Sequence, residues 1–242
     1  MSTLLEVRGI SKSFRGLRAV AEASFDVTPG DIVGLIGPNG AGKTTIFNIV
    51  AGVFAPDHGE IRFAGSRIDG LRPDQVCAAG IGRTFQIVKP FAGLSVWDNV
   101  TVGALQRTSG VAAAKKHAAA IVEQLGLGAK RDLPASTLTL PDRKRLEVAR
   151  ALATRPQLLL LDEVMAGLTP TECDQMVGVF RELNRADGLA ILLIEHVMRA
   201  AMALARHIVV LHHGEIISRG APEEVVRDPA VLECYLGEEA EI

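Results

Sequence analysis

Nine consecutive residues have the types and spacing to hold phosphate: Gly37-Pro38-Asn39-Gly40-Ala41-Gly42-Lys43-Thr44-Thr45. They fit the pattern G-x-x-x-x-G-K-S/T. Glycines let the backbone wrap tightly, so that successive N–H groups point inward at phosphate oxygens. A helix starting there adds the positive end of its dipole. Lys43 would reach the β- and γ-phosphates, and the Thr44 hydroxyl would ligate Mg²⁺. A glycine-rich turn with a chance lysine would not need particular flanks. Here the apolar run Ile32-Val33-Gly34-Leu35-Ile36 reads as a buried strand entering the loop, and Thr44 onward reads as a helix leaving it.

A second set of polar residues closes two apolar runs. Leu158-Leu159-Leu160-Leu161 ends in Asp162-Glu163, and Ala190-Ile191-Leu192-Leu193-Ile194 ends in Glu195-His196. Taken alone, Leu-Asp-Glu could end a strand and cap a helix. Beside a phosphate loop, Asp162 fits a Walker B acid that binds the Mg²⁺ shell, usually through water. Glu163, one residue on, could polarise a water for in-line attack on the γ-phosphate. A neutral His196 could contact that water or the γ-phosphate, and Gln86 could contact Mg²⁺ or the water. Each of the last two is equally readable as a polar strand end. Phe14, before the turn Arg15-Gly16-Leu17, could lie against adenine or simply pack. His212-His213 read as surface, because adjacent side chains diverge on a strand.

The elements that must position these groups follow from pattern. Alternation over Leu5–Ile10 and Ala23–Val27, with a turn at Thr28–Asp31, predicts an antiparallel sheet feeding the loop strand. Strand character returns over 57–64, a short helix is expected over Pro73–Ala79, and a strand over Gly80–Gln86. Ser95 is expected to cap a helix. Helices then run from Val111 to Leu125, ended by Gly126 and Gly128, and from Pro141 to about Thr154. Lys115 and Lys116 among alanines read as a solvated face. Continuous apolar runs alternating with helices mean βαβ units and strands buried on both faces. Ligands gather at the carboxyl ends of such strands, which puts the loop, Asp162-Glu163 and His196 on one edge. His207–Leu211 and Gly214–Ser218 predict a hairpin at the far side, and Ala221–Val226 starts a terminal helix.

Composition narrows the function classes. A chain of 242 residues holds one large α/β domain, with room for an inserted subdomain. A net charge of −2 and 4% aromatic residues speak against a nucleic-acid partner. Three scattered cysteines without C-x-x-C spacing fit a reducing cytosol better than a disulfide framework or zinc site. Glu6 and Arg8 come too early for a signal peptide, and no run approaches membrane-spanning length.

Taken in order, these motifs make the chain resemble an ABC-transporter ATPase subunit, over about residues 4–237. Gln86 falls in the Q-loop place, His196 in the switch-histidine place, and Phe14 in the place of the adenine-stacking aromatic. Gly82-Arg83-Thr84-Phe85-Gln86, Glu163-Val164-Met165-Ala166-Gly167-Leu168 and Pro222-Glu223-Glu224-Val225 are similar to the branched-chain amino acid importers, and such phrases also occur in importers of urea and other small polar solutes. The resemblance implies an ATP- and Mg²⁺-binding ATPase with a mostly parallel P-loop core. An antiparallel β subdomain would stand at its N-terminal side and a helical subdomain would be inserted. The core would take 1–86 and 156–220, the helical subdomain 87–155, and a C-terminal helix and tail 221–242. It also implies transmembrane permease subunits, a second ATPase subunit, paralogous or identical, and an extracytoplasmic solute-binding protein met only indirectly. The place of work is the cytoplasmic face of the cell membrane. Ile87–Val100 would carry motion to the permeases, or belong to subdomain core.

Two departures stand out. The signature Leu-Ser-Gly-Gly-Gln aligns with Leu138-Thr139-Leu140-Pro141-Asp142, where Thr139 keeps a hydroxyl for the γ-phosphate but both glycines are lost. The D-loop acid is replaced by Thr169, followed by Pro170. An asymmetric pair with a paralogue and a working homodimer are both compatible with this. So is a second class of function, a soluble nucleotide-gated interaction protein that hydrolyses poorly. A soluble ABC ATPase of DNA repair or translation would carry a long coiled coil or two fused cassettes, and neither is present.

Overall fold

A computed structural model describes residues 3–86 and 89–239. In chain order, β1 (Leu5–Phe14), β2 (Leu17–Val27), β3 (Ile32–Ile36), α1 (Lys43–Val50), β4 (His58–Phe63) and β5 (Ser66–Arg67) come first. Next are α2 (Pro73–Ala79), β6 (Ile81–Arg83), α3 (Val96–Ala104), α4 (Val111–Gln124) and α5 (Leu140–Leu152). The chain ends with β7 (Leu158–Asp162), α6 (Pro170–Asp187), β8 (Ala190–Ile194), α7 (Met198–Leu204), β9 (His207–His212), β10 (Glu215–Gly220), α8 (Pro222–Val225) and α9 (Pro229–Glu239).

Two sheets organise these elements. One has the order β2-β1-β4-β5 and is antiparallel throughout. The other runs β10-β9-β3-β8-β7-β6, parallel from β9 to β6, with β10 antiparallel at the edge. The period of two along its strands divides the interior. Val33, Leu35, Leu158, Leu160, Leu192 and Ile194 face one core, shared with α1 and the antiparallel sheet. Ile32, Ile36, Leu159, Leu161, Ile191 and Leu193 face the other, shared with α3 to α7. Both faces are covered, which is why these strands read as unbroken apolar runs. The fold is the mixed α/β architecture expected.

Local chemistry sets the helix ends. Ser95 caps α3, its Oγ accepting from Asp98 N at 3.0 Å. Thr169 and Glu172 form a capping box with Pro170 in the first turn of α6, so these residues serve as a helix start. α5 begins at Leu140, one residue before Pro141, because Pro141 needs no N–H partner in a first turn. β6 ends at Arg83 and β8 at Ile194, so Gln86 and His196 lie just beyond their strands. The C-terminal segment holds two helices, α8 and α9, where one was expected. The hairpin lies at one edge of the sheet, yet β9 pairs directly with β3, beside the phosphate loop. His212 and His213 do not diverge. His213 turns left-handed at φ 47°, leaving the strand geometry, and the rings meet tilted by 38° with centroids 3.9 Å apart. Of the segment Ile87–Val100, Ile87 and Val88 lie outside the described residues.

Candidate functional site

The loop from Gly37 to Gly42 leaves β3 and turns into α1, with Gly42 as its N-cap. Two of its glycines are required by close approach. A Cβ on Gly37, at φ +147°, would sit 1.9 Å from Leu211 O, and one on Gly42, at φ +104°, 2.3 Å from Ala19 O. The loop therefore rests on β9 and β2. The hairpin turn holds it as well: Gly214 N donates to Ala41 O at 2.9 Å, and Ala21 N to Gly214 O at 2.8 Å. Asn39 and Gly40 are exposed at the tip, while Pro38 and Ala41 are buried. Lys43 is buried and folds over the loop, Nζ donating to Gly37 O at 2.6 Å and Pro38 O at 2.7 Å. Thr44 is exposed at the mouth and Thr45 half-buried behind it.

Strand order brings the remaining groups to this edge. β8 lies beside β3, β7 beside β8, and β6 beside β7, all parallel. Their carboxyl ends therefore deliver His196, Asp162-Glu163 and Gln86 next to the loop. Glu163 is the meeting point. Gln86 Nε2 donates to its Oε2 at 2.7 Å, and His196 Nε2 lies 2.6 Å from its Oε1. The carboxylate can thus be held by two side chains from neighbouring strands, as a base poised over a water requires.

Asp162 is almost wholly buried. Its Oδ2 accepts from Arg83 Nη2 at 3.1 Å, while its Oδ1 has no hydrogen-bond partner. Burial pushes this carboxyl's pKa up, against the pull of the Arg83 guanidinium. A buried carboxylate oxygen with no partner suits a water of a metal's shell. With Thr44 at the loop, the donor set is two hard oxygens, as Mg²⁺ prefers. Among the described residues, no cluster of three or more His, Cys, Asp or Glu could hold a metal by itself.

The structure keeps two candidates apart from this cluster. Phe14 is partly exposed and meets Phe54 edge-on, ring centroids 5.3 Å apart, so it has packing as well as a free face. Thr139 stands at the N-cap position of the exposed start of α5 without a side-chain capping bond. Its hydroxyl donates to Asp142 Oδ2 at 2.6 Å, and Lys130 Nζ reaches the same oxygen at 2.5 Å. Burial works to raise the Asp142 pKa, but these two bonds outweigh it and hold the carboxyl below its usual range.

Three residues of this neighbourhood escaped sequence reasoning. Arg83 bridges Asp162 to α1 through Asn48 Oδ1 at 2.7 Å. Lys144 of α5 donates to the Glu163 carbonyl at 3.0 Å. Glu195 Oε1 accepts from Met165 N at 3.0 Å, and burial pushes the Glu195 pKa up to about 7. The place of Glu195 at the close of an apolar run was its available signal. Lys144 and Arg83 gave none, since a lone cation on a helix or strand normally faces water.

Comparison with known proteins bears on the whole arrangement. A family model described as "ABC transporter" matches residues 20–166. A second, "Branched-chain amino acid ATP-binding cassette transporter", matches residues 215–241. The high-affinity branched-chain amino acid transport ATP-binding protein LivG of Escherichia coli (strain K12) is 37% identical, covering 97% of this chain and 98% of LivG. The lipopolysaccharide export system ATP-binding protein LptB of Acidithiobacillus ferridurans is 34% identical across 100% of both chains. A crystal structure of the ADP conformation of an ATP-binding cassette of an ABC transporter superposes with a TM-score of 0.89, at 30% identity over 98% of this chain and 100% of that one. Matched by the family model from β2 to just past Glu163, and by these relatives along nearly all its length, the chain belongs to the ABC transporter ATP-binding family, whose members hydrolyse ATP to drive transport.

Proposed function

We propose that this ATPase energises an importer of branched-chain or related amino acids. Support for the solute class comes from the C-terminal segment 215–241 and its branched-chain family model, and from the likeness to LivG. LptB, which is similar over the same length, serves an export system. The cassette core therefore carries less weight than the C-terminal segment.

The observation that carries the hydrolytic mechanism is the Glu163 carboxylate, gripped between Gln86 and His196 beside the phosphate loop. In this reading Glu163 takes a proton from the attacking water, and Gln86 and His196 hold it on line. Residues Gly37 to Thr45 cradle the phosphates, and the exposed face of Phe14 meets adenine. Thr44 and Asp162, with Gln86 near, would hold Mg²⁺, which when bound neutralises charge on the phosphates. Residues 1–86 and 156–220 act as the nucleotide-binding core, 87–155 as the helical subdomain, and 221–242 as the tail.

Transmembrane permease subunits are the partners of a groove of about 280 Å³ whose lining includes Val53, Val76, Phe85, Phe91 and Val102. Among the described residues no helix is long and apolar enough to cross a membrane; in this reading, which rests on the likeness to transporter ATP-binding subunits, the chain docks peripherally on the cytoplasmic face. A solute-binding protein would meet only the permeases. A second ATPase subunit completes the machine. Because Thr139 spends its hydroxyl on Asp142 and Pro141 has no N–H, the α5 start is a poor grip for a partner's γ-phosphate. This supports a paralogous partner with an intact signature over a second copy. The same feature favours an alternative, a nucleotide-gated interaction protein with weak hydrolysis.

Gentle affinity purification from native membranes tests the assignment. Two permeases and a second ATPase are expected. Permeases alone would point to a homodimer. No membrane protein at all, with Glu163→Gln turning over ATP like the wild type, would leave the nucleotide-gated alternative.

A further inference from the structure

Glu163 adopts a backbone conformation that its side chain disfavours, with φ at +50°. Three contacts hold the turn it begins. Glu163 N donates to Ile194 O at 2.9 Å, an ordinary meeting of strand ends. The other two come from Lys144, on the Glu163 carbonyl, and Glu195, on Met165 N. These charged side chains are almost wholly buried, at 4% and 2% exposure. The two attract one another, Glu195 opposing the burial that lowers the Lys144 pKa, while Glu195 Oε2 accepts no hydrogen bond. Apolar side chains of similar volume are cheaper to bury, so packing does not explain them. They approach one turn from two elements, α5 and the end of β8, one as an amine donor to a carbonyl and the other as a carboxyl acceptor for an N–H.

We infer that Lys144 and Glu195 are positioning residues for hydrolysis, clamping the turn Glu163–Met165 so that the Glu163 carboxylate meets Gln86 and His196. The inference rests on the reading of Glu163 as the base. The clamp fixes the main chain on both sides of Val164, and the left-handed Glu163 then has only its side-chain torsions free. Those are set by Gln86 and His196. Because Lys144 stands five residues beyond Thr139 on α5, a tilt of that helix against the sheet changes the pull on the Glu163 carbonyl. The seating of α5 is thereby read out in the aim of the base.

The test is steady-state ATPase kinetics on the full chain, with kcat and KM separated, beside equilibrium binding of a fluorescent ATP analogue. Lys144→Met and Glu195→Leu should each lower kcat by about tenfold or more, since misplacement of a catalytic group by an ångström is that costly. Binding of the analogue should stay within about twofold, the sign of a contribution made only during reaction. Lys144→Arg keeps a donor and Glu195→Gln keeps the acceptor for Met165 N, and both should recover about fivefold over the truncations. In a Glu163→Gln background, Lys144→Met should reduce the residual turnover no further, because the group it aims is gone.

Wild-type kcat in Lys144→Met, or an equal loss in the Glu163→Gln background, would overturn the clamp alone. Wild-type turnover in Glu163→Gln itself would overturn the reading of Glu163 on which the clamp rests. Should Lys144→Met fail to bind the analogue, Lys144→Gln, which retains a shorter N–H donor, carries the same comparison.

Discussion

Replacing Glu195 by glutamine should change how stability depends on pH. Burial moves this carboxyl from its ordinary 4.5 to about 7. The folded state therefore holds its proton over a range where the unfolded chain has released it, so stability falls as pH rises through that range. At about 1.4 kcal/mol per pH unit, the full loss is roughly 3–4 kcal/mol, of which about 2–3 kcal/mol falls between about pH 5 and about pH 8. Glu195→Gln removes this loss while keeping an acceptor for Met165 N. Burial likewise raises the pKa values of Glu147 and Asp162, but they are common to both proteins and cancel in the comparison. For a chain of this size, about 2–4 °C accompanies each kcal/mol. The wild-type melting temperature should therefore drop by roughly 5–10 °C more than that of the variant between those pH values. Differential scanning fluorimetry at matched ionic strength measures it. Parallel pH curves for the two proteins, or a steeper fall in the variant, would refute the reasoning.

Gly37→Ala should place a methyl 1.9 Å from Leu211 O, weakening binding of a fluorescent ATP analogue at least about tenfold and destabilising the fold by about 3 kcal/mol in denaturant titration. His196→Ala releases one of the two grips on the Glu163 carboxylate, and turnover should fall about a hundredfold with the analogue still bound. Thr169→Ala breaks the capping box of α6, at about 1 kcal/mol, read as a melting temperature lower by about 3 °C. Val102→Glu puts a charge into the apolar groove, and co-purification of membrane subunits should be lost relative to wild type. Permeases retained at wild-type amounts would exclude this groove as their dock.

What lay close together in the chain was legible without coordinates. The phosphate loop is one continuous segment, and its glycine and lysine positions state its geometry. The runs of β7 and β8 announce strands buried on both faces, and α2 and the Ser95 cap of α3 fall where turn and cap residues put them. These features depend on interactions within a few residues, which sequence encodes directly. Strand order was not encoded in that way. Gln86 and Glu163 are 77 residues apart, and His196 and Glu163 are 33 apart. They meet only because β6, β7 and β8 pair in parallel, a choice made by the whole set of packed faces. The same holds for Lys144 and Glu195. Nothing in the local sequence says that Lys144 will be buried, and the place of Glu195 beside an apolar run does not name its partner, because the cost of burying a charge is set by groups from other elements. The contact of the His212 and His213 rings likewise turned on a left-handed backbone that alternation does not reveal. The sequence by itself determined the chemistry on offer: a phosphate loop, two strand-end carboxylates and a histidine. The tertiary structure decided which of those groups touch and what holds them in place, since contacts between distant segments exist only once the sheet has assembled.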